Sequence, residues 1–577
     1  MDSYNAIKNE LLNHISEGDT FTLAQPEDST HGNYATNIAF IVAKEKNLSP
    51  KFCATELAPL LQEKLSALVE KIEVAGPGFI NFFLKASKIQ EENKKETVTL
   101  ATMYTEKNVL VEHSSPNLFK PFSVGHLMNN IVGEFVARAI KAGGGKVTTI
   151  SFPSDISLGI AKALMIVERD LNENKIAHSF FDGTDEDMII AYLGEAYVRG
   201  VAECEENKDS LQEAKAMLDK MYKHTQEGDE NTELSLLIKK TRSINENYFK
   251  KVINEIGSSI DAFIYEGEAG IVGEKIVQEN TGEGKVFTES EGAVVYIPDE
   301  RRKDLHTAVF INGQGYPTYE AKDVGLIDIK FSRYNPDLSY FITDAEQSSH
   351  FKIVLDAVAK ISDSWKERAE KSTHIPHGRM LFKGEKMSSR LGGVPLALDV
   401  INVVEEEVRE RAGEKTAHLS GEEKKNLERE IALSALRIAV LRSKPGININ
   451  FDPEASLSFE GDSGPYLLYT HARCASLLEK GKDTEPHFSE TTPVTALERS
   501  LSSCEVVFTE TIESLSPQKM VTYLFSIAQE FNSFYASTQI ITDDVLATAH
   551  HLAIVKRTKM VLKEGLSILG IGAPERM

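Results

Sequence analysis

The chain has 577 residues, 41% of them hydrophobic and 26% charged, with a formal net charge of −23. That length exceeds the ~250–300 residues at which one core stops growing, so several domains are implied. No apolar run approaches the ~20 residues of a membrane helix, and the four cysteines (Cys53, Cys204, Cys474, Cys504) form no CxxC pair, so neither a zinc knuckle nor a disulfide framework is indicated. Taken alone, the acidic balance argues against a nucleic-acid partner, but in a chain of this size a local basic stripe can coexist with an acidic remainder.

Residues 1–19 mix acidic and basic side chains among apolar ones and lack the apolar core of a secretory signal, so a cytoplasmic chain is expected. Residues 1 to about 86 read as a small α+β unit. Phe52 to Leu68 carries apolar residues at helical spacing, and Ile72–Val74 and Phe79–Leu84 read as strands around the turn Gly76-Pro77-Gly78. Residues 87–107 are charged, then polar, and could be a linker.

A second unit starts at Asn108. Val109-Leu110-Val111 is a buried-strand candidate, and a polar loop runs from Ser114 to Ser123. Val124 to Ala142 then has Leu127, Ile131, Phe135, Ala139 and Ile140 on one helical face and stops at Gly143-Gly144-Gly145. Val147 to Phe152 is the next strand, and strand–loop–helix–strand implies a parallel α/β sheet. Residues 160–260 look mostly helical; strand-like runs return at Ala293–Ile297, Ala308–Ile311 and Leu338–Ile342. From about Val394 onward amphipathic helices dominate, over 422–442, 464–480, 494–511, 517–537 and 544–568, which predicts an all-α C-terminal domain. The acidic stretches Glu168–Glu233 and Glu405–Glu430 fit solvated helix faces.

Two constellations carry chemistry. Lys120-Pro-Phe-Ser-Val-Gly-His126 lies where the first strand hands over to the first helix. A helix N-terminus offers unpaired N–H groups and a positive dipole end, both suited to phosphate. Gly125 leaves room for a nucleotide, His126 can donate to a phosphate oxygen, and Lys120 adds charge. About 260 residues later, Lys383-Gly-Glu-Lys386-Met-Ser-Ser-Arg390 forms a basic loop that could stabilise charge developing on phosphorus. Either piece alone also fits an ordinary turn or a solvated basic loop; it is the pair that is characteristic.

With these residues in place, the sequence resembles a known family. Ser123-Val-Gly-His126 is similar to the HIGH motif and Lys386-Met-Ser-Ser-Arg390 to the KMSKS motif of class I aminoacyl-tRNA synthetases. Val111 through His126 resembles the SPN-x-x-KP-x-H-x-GH stretch of the arginyl-tRNA synthetases. His31-Gly-Asn-Tyr-Ala-Thr-Asn37 and Val74-Ala-Gly-Pro-Gly-Phe-Ile-Asn81 resemble that family's first domain. Glu460 through Arg473 is similar to the start of its helical anticodon-binding domain, and Gly570 through Met577 to its ending. The resemblance covers essentially the whole chain. It implies a Rossmann-like catalytic domain (107–395, with a helical insertion at about 165–290), an α+β N-terminal domain (1–86) that contacts tRNA, and an all-α anticodon-binding domain (396–577).

The reaction so implied attaches arginine to tRNA(Arg) through an arginyl-adenylate made from ATP. By resemblance, Ser123, Gly125, His126, Lys386, Met387, Ser388 and Arg390 hold ATP, and Lys120, His126 and Lys386 are catalytic. Lys120 stands where a lysine is thought to replace the second KMSKS lysine, here Ser389. Mg²⁺ is expected with ATP, held by phosphate oxygens and water, and no structural zinc is expected. A guanidinium needs a facing carboxylate. Tyr316 through Asp323 resembles the family's TY-x-x-(R/K)-D element, which assigns Tyr319 and Asp323 to the arginine pocket with Gln347 and Asn117. Without the resemblance, Asp323 also fits an ion pair with Lys322 or a helix cap. Tyr466, Tyr469, Tyr535 and Met577 correspond to anticodon contacts, since aromatic rings stack on unpaired bases; each also fits helix packing. In the first domain Asn37 and Phe79 through Asn81 are tRNA-contact candidates, and Tyr34 reads as core. Family members usually work as monomers and need tRNA before they activate arginine.

There are departures. Ser123 replaces the first histidine of the HIGH motif, which should slow activation without abolishing it. Ser154 and Ser157 flank Asp155 where the family has asparagine or glycine and then glycine, although Asp155 and Lys162 are in place. His374-x-x-His377 has no apparent third metal ligand. The rival readings are a nucleotidyltransferase with an (H/T)xGH turn, a non-catalytic tRNA-binding paralogue, and a synthetase of another specificity such as cysteine. ATP-dependent charging separates them.

Overall fold

A computed structural model gives the structure of residues 3–577 apart from 17, 27–28, 99, 101, 178, 228–231, 383–394, 413–419, 459–460 and 490. The chain divides into two compact units: residues 1–103, 411–438 and 454–577 form one, and 104–410 with 439–453 the other.

In the first unit, an antiparallel sheet has the strand order Leu23–Ala24, Tyr34–Thr36, Phe79–Leu84, Val69–Ala75. Alternation in Phe79–Leu84 turns Ile80, Phe82 and Leu84 inward, each no more than 1% exposed. Ile7, Ile38 and Leu61, from the helices Ser3–Leu12, Ile38–Lys46 and Pro50–Lys64, complete this core. Tyr34 is buried there. Residues 86–93, which span the end of the expected first unit and the start of the expected linker 87–107, form a helix. Its Ile89 is fully buried, and Asn93 Nδ2 donates to the Glu498 carbonyl at 2.8 Å. Its charge masked the three side chains that bury, Ile89, Gln90 and Asn93.

The C-terminal part of this unit comprises the helices Gly464–Lys480, Ala496–Ser502, Cys504–Ser514, Pro517–Ser537 and Val545–Ile568. Ser463 caps the first by accepting from the Tyr466 N–H at 3.2 Å, and Pro465 occupies its first turn, where no N–H is needed. The single helix expected over 494–511 breaks at Ser503, between a Thr495/Glu498 capping box and a new start at Cys504.

The second unit is built on a five-stranded parallel sheet, ordered Ser372–His377, Leu338–Asp344, Asn108–Glu112, Lys146–Ser151, Ala262–Phe263. The helix Val124–Ala142 follows the central strand, as its apolar spacing predicts. The order reverses at Asn108–Glu112, whose neighbours come from residues 146–151 on one side and 338–344 on the other. In such sheets ligands bind beyond the carboxyl ends of the strands at the reversal point. The segments leaving those ends are 113–123, 152–157 and 345–347, and they carry Asn117, Lys120, Asp155 and Gln347.

Two further elements frame that edge. The helices Glu186–Glu206, Lys208–Glu227 and Glu233–Glu255 form an insertion between the strands Lys146–Ser151 and Ala262–Phe263. The helices Glu266–Glu279 and Tyr319–Tyr334 cross at Gly273 and Gly325, where a Cβ would lie 1.8 Å from the Ala321 carbonyl oxygen and 1.9 Å from that of Ala269. Only glycine permits this backbone approach.

Candidate active site

The turn before Val124–Ala142 is tightly specified. The Ser123 N–H donates to His126 Nδ1 at 3.1 Å. With Nδ1 accepting, the ring proton sits on Nε2, so His126 offers an N–H donor. Burial, reinforced by the charges of Lys120 and His377, lowers its pKa to about 4. His126 is thus a neutral donor at physiological pH. Gly125 is exposed, and among the described residues a Cβ there would meet only Ser123 Oγ at 3.6 Å, which leaves room for a ligand to approach the helix start.

Lys386, Met387, Ser388 and Arg390 lie outside the described residues. Their C-terminal flank is fixed, however. The Val124 N–H donates to the Pro395 carbonyl at 2.9 Å and the Ala397 N–H to the Phe122 carbonyl at 2.8 Å, with Ser123 and Leu396 paired antiparallel. The described chain that resumes at Pro395 therefore packs against the turn that carries His126.

Lys120 extends over the Tyr197 ring, its Nζ 4.6 Å from the centroid. Phe119, one residue earlier, is left-handed at φ +61° and buried, and its N–H donates to Asn245 Oδ1 at 3.1 Å. Asn117 is partly buried, and its carbonyl accepts from the Lys120 N–H at 3.3 Å.

The helix Tyr319–Tyr334 carries further pocket candidates. Tyr319 is 61% exposed. Asp323 Oδ2 meets His350 Nε2 at 2.5 Å, and the other ring nitrogen lies 3.5 Å from Glu320 Oε1. Burial works against a charge on His350, but Asp323 and Glu320 overcome it and raise its pKa to about 10. Asp323 is therefore partnered by an imidazolium. It is neither a helix cap nor paired with Lys322, whose Nζ donates to Glu266 at 2.8 Å and to the Ile156 carbonyl at 3.0 Å. Gln347 is exposed at the start of Ser348–Val358.

Adjoining these is a charged layer of which the sequence reading singled out only Ser154 and Asp155. Asp155 accepts the Gly267 N–H at 2.7 Å and pairs with Arg242. Glu266 accepts from the Ser154 hydroxyl at 2.9 Å as well as from Lys322. Burial raises both carboxyl pKa values, opposed by Arg242 for Asp155 and by Lys322 for Glu266. The central strand joins in through a buried pair of Glu112 and Lys330. The signal was present in part: Arg242, Asn245 and Tyr248 recur at helical spacing in a region read only as mostly helical.

His374 and His377 sit on an edge strand rather than a helix. Spaced by three, they face opposite sides; His374 pairs with Thr343 at 2.7 Å and His377 with the Gly378 carbonyl at 2.9 Å.

In the other unit, Tyr469, Arg473, Tyr535, Lys559, Arg576 and Met577 line a cleft of ≈ 830 Å³. The Arg473 guanidinium lies between two half-exposed rings, 4.7 Å from Tyr469 and 4.8 Å from Tyr535. Tyr466 is tied down, its hydroxyl accepting from Asn532 Nδ2 at 2.9 Å. Four cations (Arg473, Lys480, Lys559, Arg576) face two carboxylates (Glu479, Glu575), a local basic excess in an acidic chain. In the N-terminal sheet, Asn81 is buried and Asn37 Oδ1 accepts the Thr22 N–H at 2.7 Å, whereas Phe79 is 42% exposed against Phe40.

Three family models match the chain: an arginyl-tRNA synthetase N-terminal domain over 4–84, a class I (R) tRNA synthetase catalytic domain over 88–452, and a DALR anticodon-binding domain over 467–577. Among its relatives is the arginine–tRNA ligase of Clostridium perfringens, 28% identical over 93% of both chains. That of Lactobacillus delbrueckii subsp. bulgaricus is 29% identical over 96% of this chain and 95% of the relative. The arginyl-tRNA synthetase of Thermus thermophilus shares the fold, with a TM-score of 0.80 at 23% identity, covering 100% of this chain and 99% of that one.

Proposed function

The chain belongs to the class I arginyl-tRNA synthetase family, and from that premise we propose how its residues join arginine to tRNA. The activity is that of an arginine–tRNA ligase. The arginine carboxylate attacks the α-phosphorus of ATP, pyrophosphate leaves, and the terminal ribose hydroxyl of tRNA then displaces AMP from the adenylate. No covalent enzyme intermediate is required; positioning and charge stabilisation suffice.

ATP settles at the start of Val124–Ala142, with Ser123, Gly125 and His126 beneath it. His126 Nε2–H donates to a phosphate oxygen, while Lys120 and Lys386 face the charge that develops on the phosphates, with Met387, Ser388 and Arg390 alongside. The observation that best supports this pairing is the antiparallel junction of Ser123 with Leu396. Mg²⁺ bound with ATP would be held by phosphate oxygens and water and would offset the triphosphate's charge. In the amino-acid pocket Asp323 faces the guanidinium with Tyr319 and Gln347, and Asn117 holds the substrate's backbone groups.

The anticodon loop is read in the cleft lined by Tyr469, Tyr535 and Met577, with Tyr466 supporting it. Asn37 and the strand through Asn81 are the N-terminal tRNA candidates, Phe79 offering the exposed ring. The proposed domains are 1–86, 107–395 with an insertion at about 165–290, and 396–577, although the compact catalytic unit also takes in 439–453. No helix among the described residues is long and apolar enough to cross a membrane; we propose a cytoplasmic monomer.

ATP-dependent charging of total tRNA with each of the twenty labelled amino acids tests the reading. Arginine alone should be charged, and Lys120→Ala should abolish most of it. Charging of a different amino acid, or of none while tRNA still binds, would overturn it.

A further inference from the structure

We propose that Tyr197 and Asn245, both on the helical insertion, are positioning residues that aim the Lys120 ammonium at the phosphates of ATP. The inference rests on the reading of Lys120 as a phosphate-facing lysine.

A lysine is a poor pointer. Its four-carbon stem samples many rotamers, and a catalytic charge that wanders stabilises little. A carboxylate partner would fix it but would neutralise the charge the reaction needs. An aromatic face fixes it while leaving its donors and its charge available. Lys120 has that arrangement: its Nζ lies 4.6 Å from the Tyr197 centroid, and among the described residues it makes no ion pair. The ring is itself held, because Tyr197 packs on bare backbone at Gly159, where a Cβ would come within 2.5 Å of the hydroxyl.

The backbone beneath Lys120 is held from the same insertion. Phe119 adopts φ +61°, a conformation that a bulky residue keeps only when its surroundings enforce it. Asn245 provides the enforcement. It is 1% exposed, accepts the Phe119 N–H at 3.1 Å and anchors its own amide on the Thr241 carbonyl at 2.8 Å. Three residues on, Tyr248 brings its hydroxyl within 3.5 Å of the Phe122 N–H, on the far side of Lys120. One insertion thus braces the stem's backbone and the charged tip together.

The test is a double-mutant cycle in the full-length enzyme, reading kcat and KM for ATP in arginine charging, with melting temperatures as a control. Tyr197→Leu should lower kcat about tenfold, the size of a partly desolvated cation–π contact, with KM for ATP within about twofold. Tyr197→Phe, which keeps the ring face, should restore kcat. In a Lys120→Ala background Tyr197→Leu should cost nothing more, because the group it positions is gone. Asn245→Ala should behave like Tyr197→Leu; if it does not fold, the Tyr197 cycle decides. Equal losses from Tyr197→Leu in both backgrounds, or no loss in the parent, would overturn the inference while leaving Lys120 its role. A fully active Lys120→Ala enzyme would overturn both.

Discussion

His350 holds Asp323: the imidazole Nε2 meets the carboxylate Oδ2 at 2.5 Å, and both side chains are mostly buried. One oxygen of Asp323 is therefore committed to an internal cation, and the carboxylate's position is fixed before any substrate enters.

A carboxylate so placed should govern arginine affinity. Asp323→Asn keeps the shape and a hydrogen bond but removes the charge opposite the guanidinium, which is worth about 2 kcal/mol or more when partly buried. The expected outcome is a KM for arginine raised at least tenfold, with the KM for ATP and the circular dichroism spectrum unchanged. An unaltered arginine KM would remove Asp323 from the pocket.

The same pair makes a pH prediction. The His350 pKa in the folded protein is raised to about 10, against about 6.5 in an unfolded chain. The protonated form is favoured by folding, so its stabilisation is fully present below pH ~6.5 and is lost as pH rises through ~10. Urea midpoints should fall between pH 8 and 10 in the parent protein. His350→Gln should flatten that part of the profile; a profile identical to the parent's would contradict the assignment.

His126 predicts the reverse of a pH limb. Its pKa of about 4 leaves it neutral across the working range, so kcat should show no inflection from this residue between pH 5 and 9. Because the backbone N–H of Ser123 fixes the tautomer, Ser123→Ala should keep kcat within about threefold. His126→Gln should cost about 100-fold or more, the typical worth of one donor at a developing charge. Steady-state charging of both variants decides between the side chain and the backbone as the tautomer's determinant.

Much of this candidate site was legible in the sequence, and the illegible part has a common cause. Lys120, His126 and Asp323 lie in short segments next to a strand end or helix start, where chain order fixes what surrounds them. The helix Val124–Ala142 reads directly from its apolar spacing and its glycine stop. His350, Glu266, Arg242, Asn245 and Tyr197 act through partners 27 to 126 residues away in sequence, for example Asp323 for His350 and Phe119 for Asn245. Periodicity reports which face of a helix is buried, not which distant backbone N–H that face will meet. Charge likewise misled at 86–93, where a predominantly charged and polar stretch folds as a helix because Ile89 and Asn93 find partners far along the chain.

The crossing of Glu266–Glu279 with Tyr319–Tyr334 gives a prediction about assembly of the pocket. A methyl at Gly325 would meet the Ala269 carbonyl oxygen at 1.9 Å, backbone on backbone, so the helices must separate. Overpacking of this kind costs about 1–3 kcal/mol and shifts the elements involved. The shifted helix carries Tyr319, Lys322 and Asp323. Gly325→Ala should therefore lower the melting temperature and raise the arginine KM together, whereas Gly313→Ala, with open space around its Cβ, should do neither.

The cleft proposed for tRNA predicts a loss confined to one substrate. Tyr469 and Tyr535 are half exposed on either side of Arg473, so each presents a ring face that a base can cover. Base–aromatic stacking contributes about 1–3 kcal/mol per base. Tyr535→Ala should raise the KM for tRNA about tenfold and leave pyrophosphate exchange at saturating tRNA unchanged, since the proposed ATP and arginine sites lie in the other unit. Arg473→Gln should weaken tRNA binding and reduce its salt dependence by roughly one phosphate contact. Both titrations follow from the same geometry. A Tyr535→Ala enzyme with an unchanged tRNA KM would mean that the ring packs against Arg473 and Phe531 for structure alone, leaving the cations of the cleft to hold the backbone of the RNA.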